Sequence, residues 1–148
     1  MTEEPLGYLL QVVAKKYKSV YLQSTNGIDI EKYHYILVLI DDHKGLLTQK
    51  GLAEILKVDK SYLVGILNYL VRTGYVIREV NREDRRSQFI KLTDKAMDVL
   101  PEIRSSISRN NTISLTDIPE QDLKIFNKVL NQIQQNLSKG LPPEINKS

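Results

Sequence analysis

Apolar positions at the start of the chain follow a helical rhythm. Leu6, Leu9, Leu10, Val13, Tyr17, Val20 and Tyr21 recur at three- and four-residue steps, one stripe of a long helix whose first turn suits Pro5. Lys15, Lys16 and Lys18 lie mostly off the stripe, and Asn26-Gly27 breaks it. Asp29 is placed to cap a second helix reaching Asp42. Its centre, Tyr33-His34-Tyr35-Ile36-Leu37-Val38-Leu39-Ile40, is apolar nearly all round. The β-branched residues there make a strand a competitor; length and the cap select helix.

Thr48 opens a short helix with Leu52, Ala53, Ile55 and Leu56 facing inward. Gly51 stands at its third position, where a Glu would complete a capping box. Lys57-Val58 is a tight connection, Asp59 caps a helix over 60–73, and Gly74 supplies the left-handed residue that stops it. Two strand-like runs follow, 75–80 and 88–92, around a charged loop, 81–87, too long for a two-residue turn and expected to project as a flexible tip. Thr93 caps a helix to about Arg109, with Pro101 a kink or break; 110–117 reads as a loop. Pro119 opens a last helix with Leu123, Phe126, Leu130, Ile133 and Leu137 on one seam and Val129 beside it. Gly140 ends that helix, and a mobile tail is expected from Leu141.

Composition narrows the class. At 148 residues, 41% apolar and 26% charged, the chain has the profile of a globular domain. A net charge of +3 and a pI near 9.0 permit nucleic acid as a partner without requiring it. The absence of cysteine excludes a disulfide scaffold and thiol-based redox sensing. The acidic start Met1-Thr2-Glu3-Glu4-Pro5 is unlike a signal peptide, and the apolar run 35–40 is too short for a membrane span, so a cytoplasmic protein is expected. Enzyme readings find little. The two histidines, His34 and His43, have no metal-ligand spacing, no phosphate loop or nucleophile elbow occurs, and no cofactor is implied. Asp41-Asp42, adjacent in sequence, are expected to diverge in direction.

The informative stretch is 52–92. Two helices joined by a short turn, then a hairpin with a charged tip, describe a winged helix-turn-helix in a mainly α chain with a small β wing. At 100° per residue, Leu63, Ile66, Leu67 and Leu70 fall within roughly 100° of arc and form a core stripe. The opposite face carries Ser61, Gly65, Asn68 and Arg72, with Val64 at its flank and Lys60 and Tyr62 in the first turn. Such a face suits the major groove. Ser61 can bond phosphate or a base edge, Asn68 can pair with adenine, and Val64 can touch a thymine methyl. Gly65 admits close backbone approach; the competing reading is that it relieves crowding between helices. At the tip, Arg82, Arg85 and Arg86 suit the minor groove and its phosphates, with Asp84 orienting Arg86 through a carboxylate–guanidinium pair.

The run Leu46-Leu47-Thr48-Gln49-Lys50-Gly51-Leu52-Ala53, the wing's Asp84-Arg85-Arg86 and the following Leu92-Thr93 resemble the MarR (multiple antibiotic resistance) regulators. That resemblance implies a homodimer whose first and last helices interlock, each subunit reading a half-site of double-stranded DNA, with the second lobe helix in the groove and Arg86 a wing contact. It divides the chain into a dimerisation helix (1–28), a DNA-binding lobe (29–93), closing dimerisation helices (94–138) and a tail (139–148). It further implies a repressor released by a small aromatic or phenolic effector, with Tyr17, Tyr21, Tyr33, His34 and Tyr35 in the segments near such a site. Two departures stand out. Gly51 replaces a frequent Glu, and Gly65 replaces a common long polar or basic side chain. The alternative from another class is a winged-helix module for protein–protein assembly without DNA.

Overall fold

The computed structural model describes residues 3–25, 27–30 and 32–140. Asn26 of the expected break and the expected tail from Leu141 lie outside them. The order is α1 (Leu6–Ser24), α2 (His34–Asp42), α3 (Gln49–Leu56), α4 (Lys60–Arg72), β1 (Val76–Val80), β2 (Gln88–Leu92), α5 (Asp94–Ser114) and α6 (Glu120–Ser138). Two compact units are distinguished, the first reaching Asn111 and the second starting at Thr112.

The first unit is built on α2. Its nine residues bury His34 and all of Ile36, Leu37, Val38, Leu39 and Ile40, which is why it is apolar nearly all round. Leu52, Leu63, Leu67, Leu70, Val76, Ile90 and Ile103 complete the core around it. Helix, not strand, is the outcome for this segment, but it starts later than the sequence suggests. The chain enters through Tyr33 in the left-handed conformation (φ 69°), and Asp29 is not its cap. Five residues upstream of the first turn, Asp29 instead accepts hydrogen bonds from the Tyr75 hydroxyl and from Lys95 Nζ at 2.7 Å. Lys95 also donates to the Thr73 carbonyl at 2.8 Å and lies over the Tyr75 ring. These donors, Lys95 first and Tyr75 second, hold the Asp29 carboxyl below its usual value of 3.8.

The helix-turn-helix forms where local signals place it. Thr48 Oγ1 accepts from the Gly51 N–H at 3.1 Å, capping α3. Lys57 turns left-handed at φ 54°, and Asp59 takes the N-cap position of α4 without a side-chain bond. Of the residues expected to face inward on α3, Leu52 is buried, Ala53 and Leu56 are half-buried, and Ile55 is exposed. At the end of α4, Tyr75 N–H donates to the Leu70 carbonyl and Gly74 N–H to that of Val71, with Gly74 at φ 82°. These two bonds make a Schellman stop, which a left-handed glycine permits.

β1 and β2 pair antiparallel from Val76↔Leu92 to Val80↔Gln88. The sheet is stitched to the start of α3: Ile90 N–H donates to the Leu47 carbonyl at 2.9 Å, and Thr48 bridges to Phe89. Thr93 caps α5 through the Ala96 N–H at 3.3 Å. Pro101 does not break α5, and 110–114 is helical rather than loop. The face of α5 that carries Ala96, Leu100, Ile103, Ser106 and Asn110 is buried. Ser106 Oγ donates to the Ser24 carbonyl and Asn110 Nδ2 to the Tyr17 carbonyl. That packing against α1 overrides the local propensities of Pro101 and Asn110. Arg104 of α5 reaches both Asp41 and Asp42 at 2.6 Å, so this carboxylate pair converges on one guanidinium rather than diverging.

α1 buries no residue completely, and Leu6, Tyr8, Leu10, Val13 and Val20 are exposed. In the second unit α6 likewise buries none. Leu123, Leu130 and Ile133 are half-buried, while Ile125, Phe126, Val129 and Leu137 stand exposed. No helix among the described residues is long and apolar enough to cross a membrane.

Candidate nucleic-acid interface

Helix α4 divides as its periodicity requires. Leu63, Ile66, Leu67 and Leu70 are buried, whereas Lys60, Ser61, Tyr62, Gly65, Asn68 and Arg72 are exposed and Val64 is half-buried at the flank. A Cβ built on Gly65 would meet nothing within 4 Å. Crowding therefore does not account for this glycine. The helix presents open backbone at the middle of its outer face.

The wing meets this face through a residue the sequence reading missed. Arg78 of β1 donates from Nη2 to Asn68 Oδ1 at 2.8 Å. Strand alternation carries the signal that would have found it. Val76 and Arg78 share one face of β1, and Val76 is buried in the core, so Arg78 points the same way, towards α4.

The wing tip is organised by side chains bonding its own backbone, contrary to the expectation of a merely flexible loop. Asn81 Oδ1 accepts from the Glu83 N–H at 3.0 Å, and Asp84 Oδ1 from the Arg86 N–H at 3.1 Å. Ser87 N–H donates to the Asp84 carbonyl, and Asn81 N–H to that of Ser87. Two successive Asx turns thus fold the tip. Asp84 grips the main chain of Arg86, not its guanidinium, and the expected ion pair is replaced by that contact. Arg82, Arg85 and Arg86 are all exposed. Short polar side chains consume the backbone donors, and the long cationic ones are left outward.

A second feature lies behind α4. An open crevice of about 670 Å³ is lined by Tyr17, Lys18, Tyr21 and Leu22 of α1, by 32–36 before and within α2, by Leu56 and Val58 of the turn, and by Ile107 and Asn111 of α5. Tyr62 and Ile66 of α4 complete its lining. Tyr17, Tyr33 and Tyr35, the sequence candidates for an effector, are therefore brought together, along with Tyr21 and His34. Lys18 and Lys32 add cationic groups that the sequence reading did not place there. Tyr62, read as a groove residue, belongs to the crevice as well.

Within the crevice His34 Nε2 lies 2.6 Å from the Ile30 carbonyl, and His34 Nδ1 lies 2.8 Å from the Tyr21 hydroxyl. A carbonyl only accepts, so Nε2 carries the proton and Tyr21 donates to Nδ1. Burial, then the neighbouring Tyr17 and Glu102, push the Tyr21 hydroxyl up to about 12. Tyr17 donates to Asn111 Oδ1 at 2.8 Å. The crevice is thus walled by aromatic rings, with Tyr17, Tyr21 and His34 held by hydrogen bonds and two lysines in the lining.

Solved structures share this fold. A MepR–DNA complex from S. aureus matches with a TM-score of 0.82 and 20% identity, over 91% of this chain and 99% of that one. A MarR-family transcriptional regulator from Listeria monocytogenes complexed with a 26mer DNA matches at 0.79 and 20%, over 92% and 91%. A mutant MarR from E. coli complexed with operator DNA matches at 0.75 and 21%, over 87% and 93%. The model of the MarR family matches residues 26–87, which hold α2, the helix-turn-helix and the wing up to the start of β2. With that lobe similar to the family and the surrounding helices folded as in solved MarR regulators, the chain has the winged helix-turn-helix fold.

Proposed function

We propose that this protein is a sequence-specific regulator of transcription that binds double-stranded DNA as a homodimer. Its α4 enters the major groove through Lys60, Ser61, Tyr62, Val64, Gly65 and Asn68. Arg82, Arg85 and Arg86 reach the adjacent minor groove and phosphates, and Asp84 shapes the tip that carries them. The observation that carries this reading is the polar outer face of α4, bare at Gly65 and flanked by an exposed arginine tip. Related folds complexed with DNA support it.

Dimerisation is supported by the apolar residues that the single chain leaves exposed on α1 and on α6. In a two-fold dimer, paired α4 helices read half-sites one helical turn apart, about 34–36 Å. Repression is the simplest outcome of occupying an operator. The crevice walled by Tyr17, Tyr33, Tyr35 and Tyr62 suits a small aromatic effector, and an occupant there would press on α4 directly. It would release DNA by changing the separation of the two reading helices.

The test is selection of bound duplexes from a random library, followed by anisotropy over a salt series. A two-fold symmetric motif is expected, with affinity falling steeply as salt rises because phosphate contacts release counterions. Arg86→Ala should weaken binding about tenfold or more, in the range of a lost charged contact. Absence of any enriched motif, with salt-insensitive binding, would overturn the DNA reading and leave a winged module for protein assembly.

A further inference from the structure

The contact between Arg78 and Asn68 fixes more than a side-chain position. A guanidinium has donors and no acceptor, so the amide that meets it must turn its oxygen inward. Asn68 Oδ1, accepting from Arg78 Nη2 at 2.8 Å, is committed to the wing. Its NH2 group is then the free end of an exposed side chain on the outer face of α4. Arg78 is available for this role because its neighbour Glu79 is engaged by Lys91 at 3.1 Å. Its place on the strand face shared with the buried Val76 aims it at α4.

We propose that Arg78 is a positioning residue that sets which base Asn68 reads, turning an adenine-type amide into a donor-only probe that selects guanine. An unconstrained Asn pairs with adenine by donating to N7 and accepting from N6 in one plane. Here the accepting atom already carries a cationic donor, and a second donor brought to it would crowd against the guanidinium. Guanine presents two acceptors, O6 and N7, in the major groove, which match the two N–H donors that the amide of Asn68 has left. Thymine and adenine each offer one acceptor, and cytosine presents a donor. Exclusion of water from the groove strengthens the Arg78–Asn68 bond when it matters for reading. This inference rests on α4 being the groove helix.

The experiment is duplex selection with the full-length protein, wild type beside Asn68→Ala, Arg78→Met and Arg78→Ala, each checked for folding by thermal melting. Arg78→Met retains the apolar stem and removes every donor. In the wild-type motif one position per half-site should favour guanine about tenfold over adenine. Asn68→Ala should flatten that position alone, and Arg78→Met should shift it towards adenine. Adenine at that position in the wild-type motif would overturn the proposal, whatever the variants do. So would an unchanged guanine preference in a folded Arg78 variant, or loss of all specific binding there, which would make Arg78 an anchor rather than a positioner. Failure of the wild type to select any duplex would instead sink the reading of α4 as a groove helix, and this inference with it.

Discussion

Helices α2 and α6 spend their apolar residues in opposite ways. The nine residues of α2 bury six, and its cover comes from the helices and strands of its own unit. The nineteen residues of α6 bury none, although Leu123, Phe126, Leu130, Ile133 and Leu137 recur on one seam. A segment apolar all round is enclosed by the chain that carries it, whereas a single stripe on an otherwise polar helix calls for one more surface. The contrast separates residues that make the lobe from residues that the proposed dimer would use.

The largest expected effect lies on the enclosed side. Leu67 is completely buried beneath the outer face of α4, and Leu67→Ala should cost about 2–5 kcal/mol of unfolding free energy by urea titration. A loss below about 1 kcal/mol would mean that the lobe core is not packed as described.

Next in size is the open side. Phe126→Asp, at a residue 52% exposed in the single chain, should leave the lobe folded yet raise the dimer dissociation constant about thirtyfold or more in sedimentation equilibrium. An unchanged mass over the same concentrations would contradict a partner surface on α6. Gly65→Ala then divides the two outer roles of α4. The substitution meets no neighbour, so it should raise stability by about 0.5–1 kcal/mol, yet weaken duplex binding by placing a methyl group where, in the proposed complex, the backbone would approach DNA. Gains in both stability and affinity would remove the close-approach role.

The smallest effect is acid sensitivity. Asp29 is held below its usual 3.8 in the folded chain, so its contribution is fully present above that value and is lost as pH falls through the lower, folded one. Asp29→Asn should therefore flatten the fall in melting temperature below about pH 4, where the wild type declines more steeply. Parallel curves for the two proteins would show that the link from Asp29 to Lys95 and Tyr75 contributes nothing to folding.

What the sequence made legible was local or periodic. The split of α4 into buried leucines and an exposed polar face followed from spacing alone. Thr48 and Thr93 cap as expected because a cap bond spans three residues. Features set by distant contacts were not legible. Asp29 lost its capping role because the start of α2 is decided by Tyr33 and by the pull of Lys95, 66 residues away. Pro101 and Asn110 read as breakers, yet α5 runs through both, since Ser106 and Asn110 fasten it to carbonyls of α1. The candidate site divides in the same manner. The exposed arginines and the polar outer face of α4 were visible, whereas the Arg78–Asn68 bond and the place of Tyr62 in the crevice lining required the chain to be folded.

The stitch at Leu47 and Thr48 bears on how a signal would travel. The hydroxyl that starts α3 belongs to a residue bridged to Phe89, and the preceding carbonyl holds Ile90, so wing and helix-turn-helix share one root. A push delivered through Tyr62 would then tilt α4 and the wing together, as one casting, instead of moving one while the other stays in place.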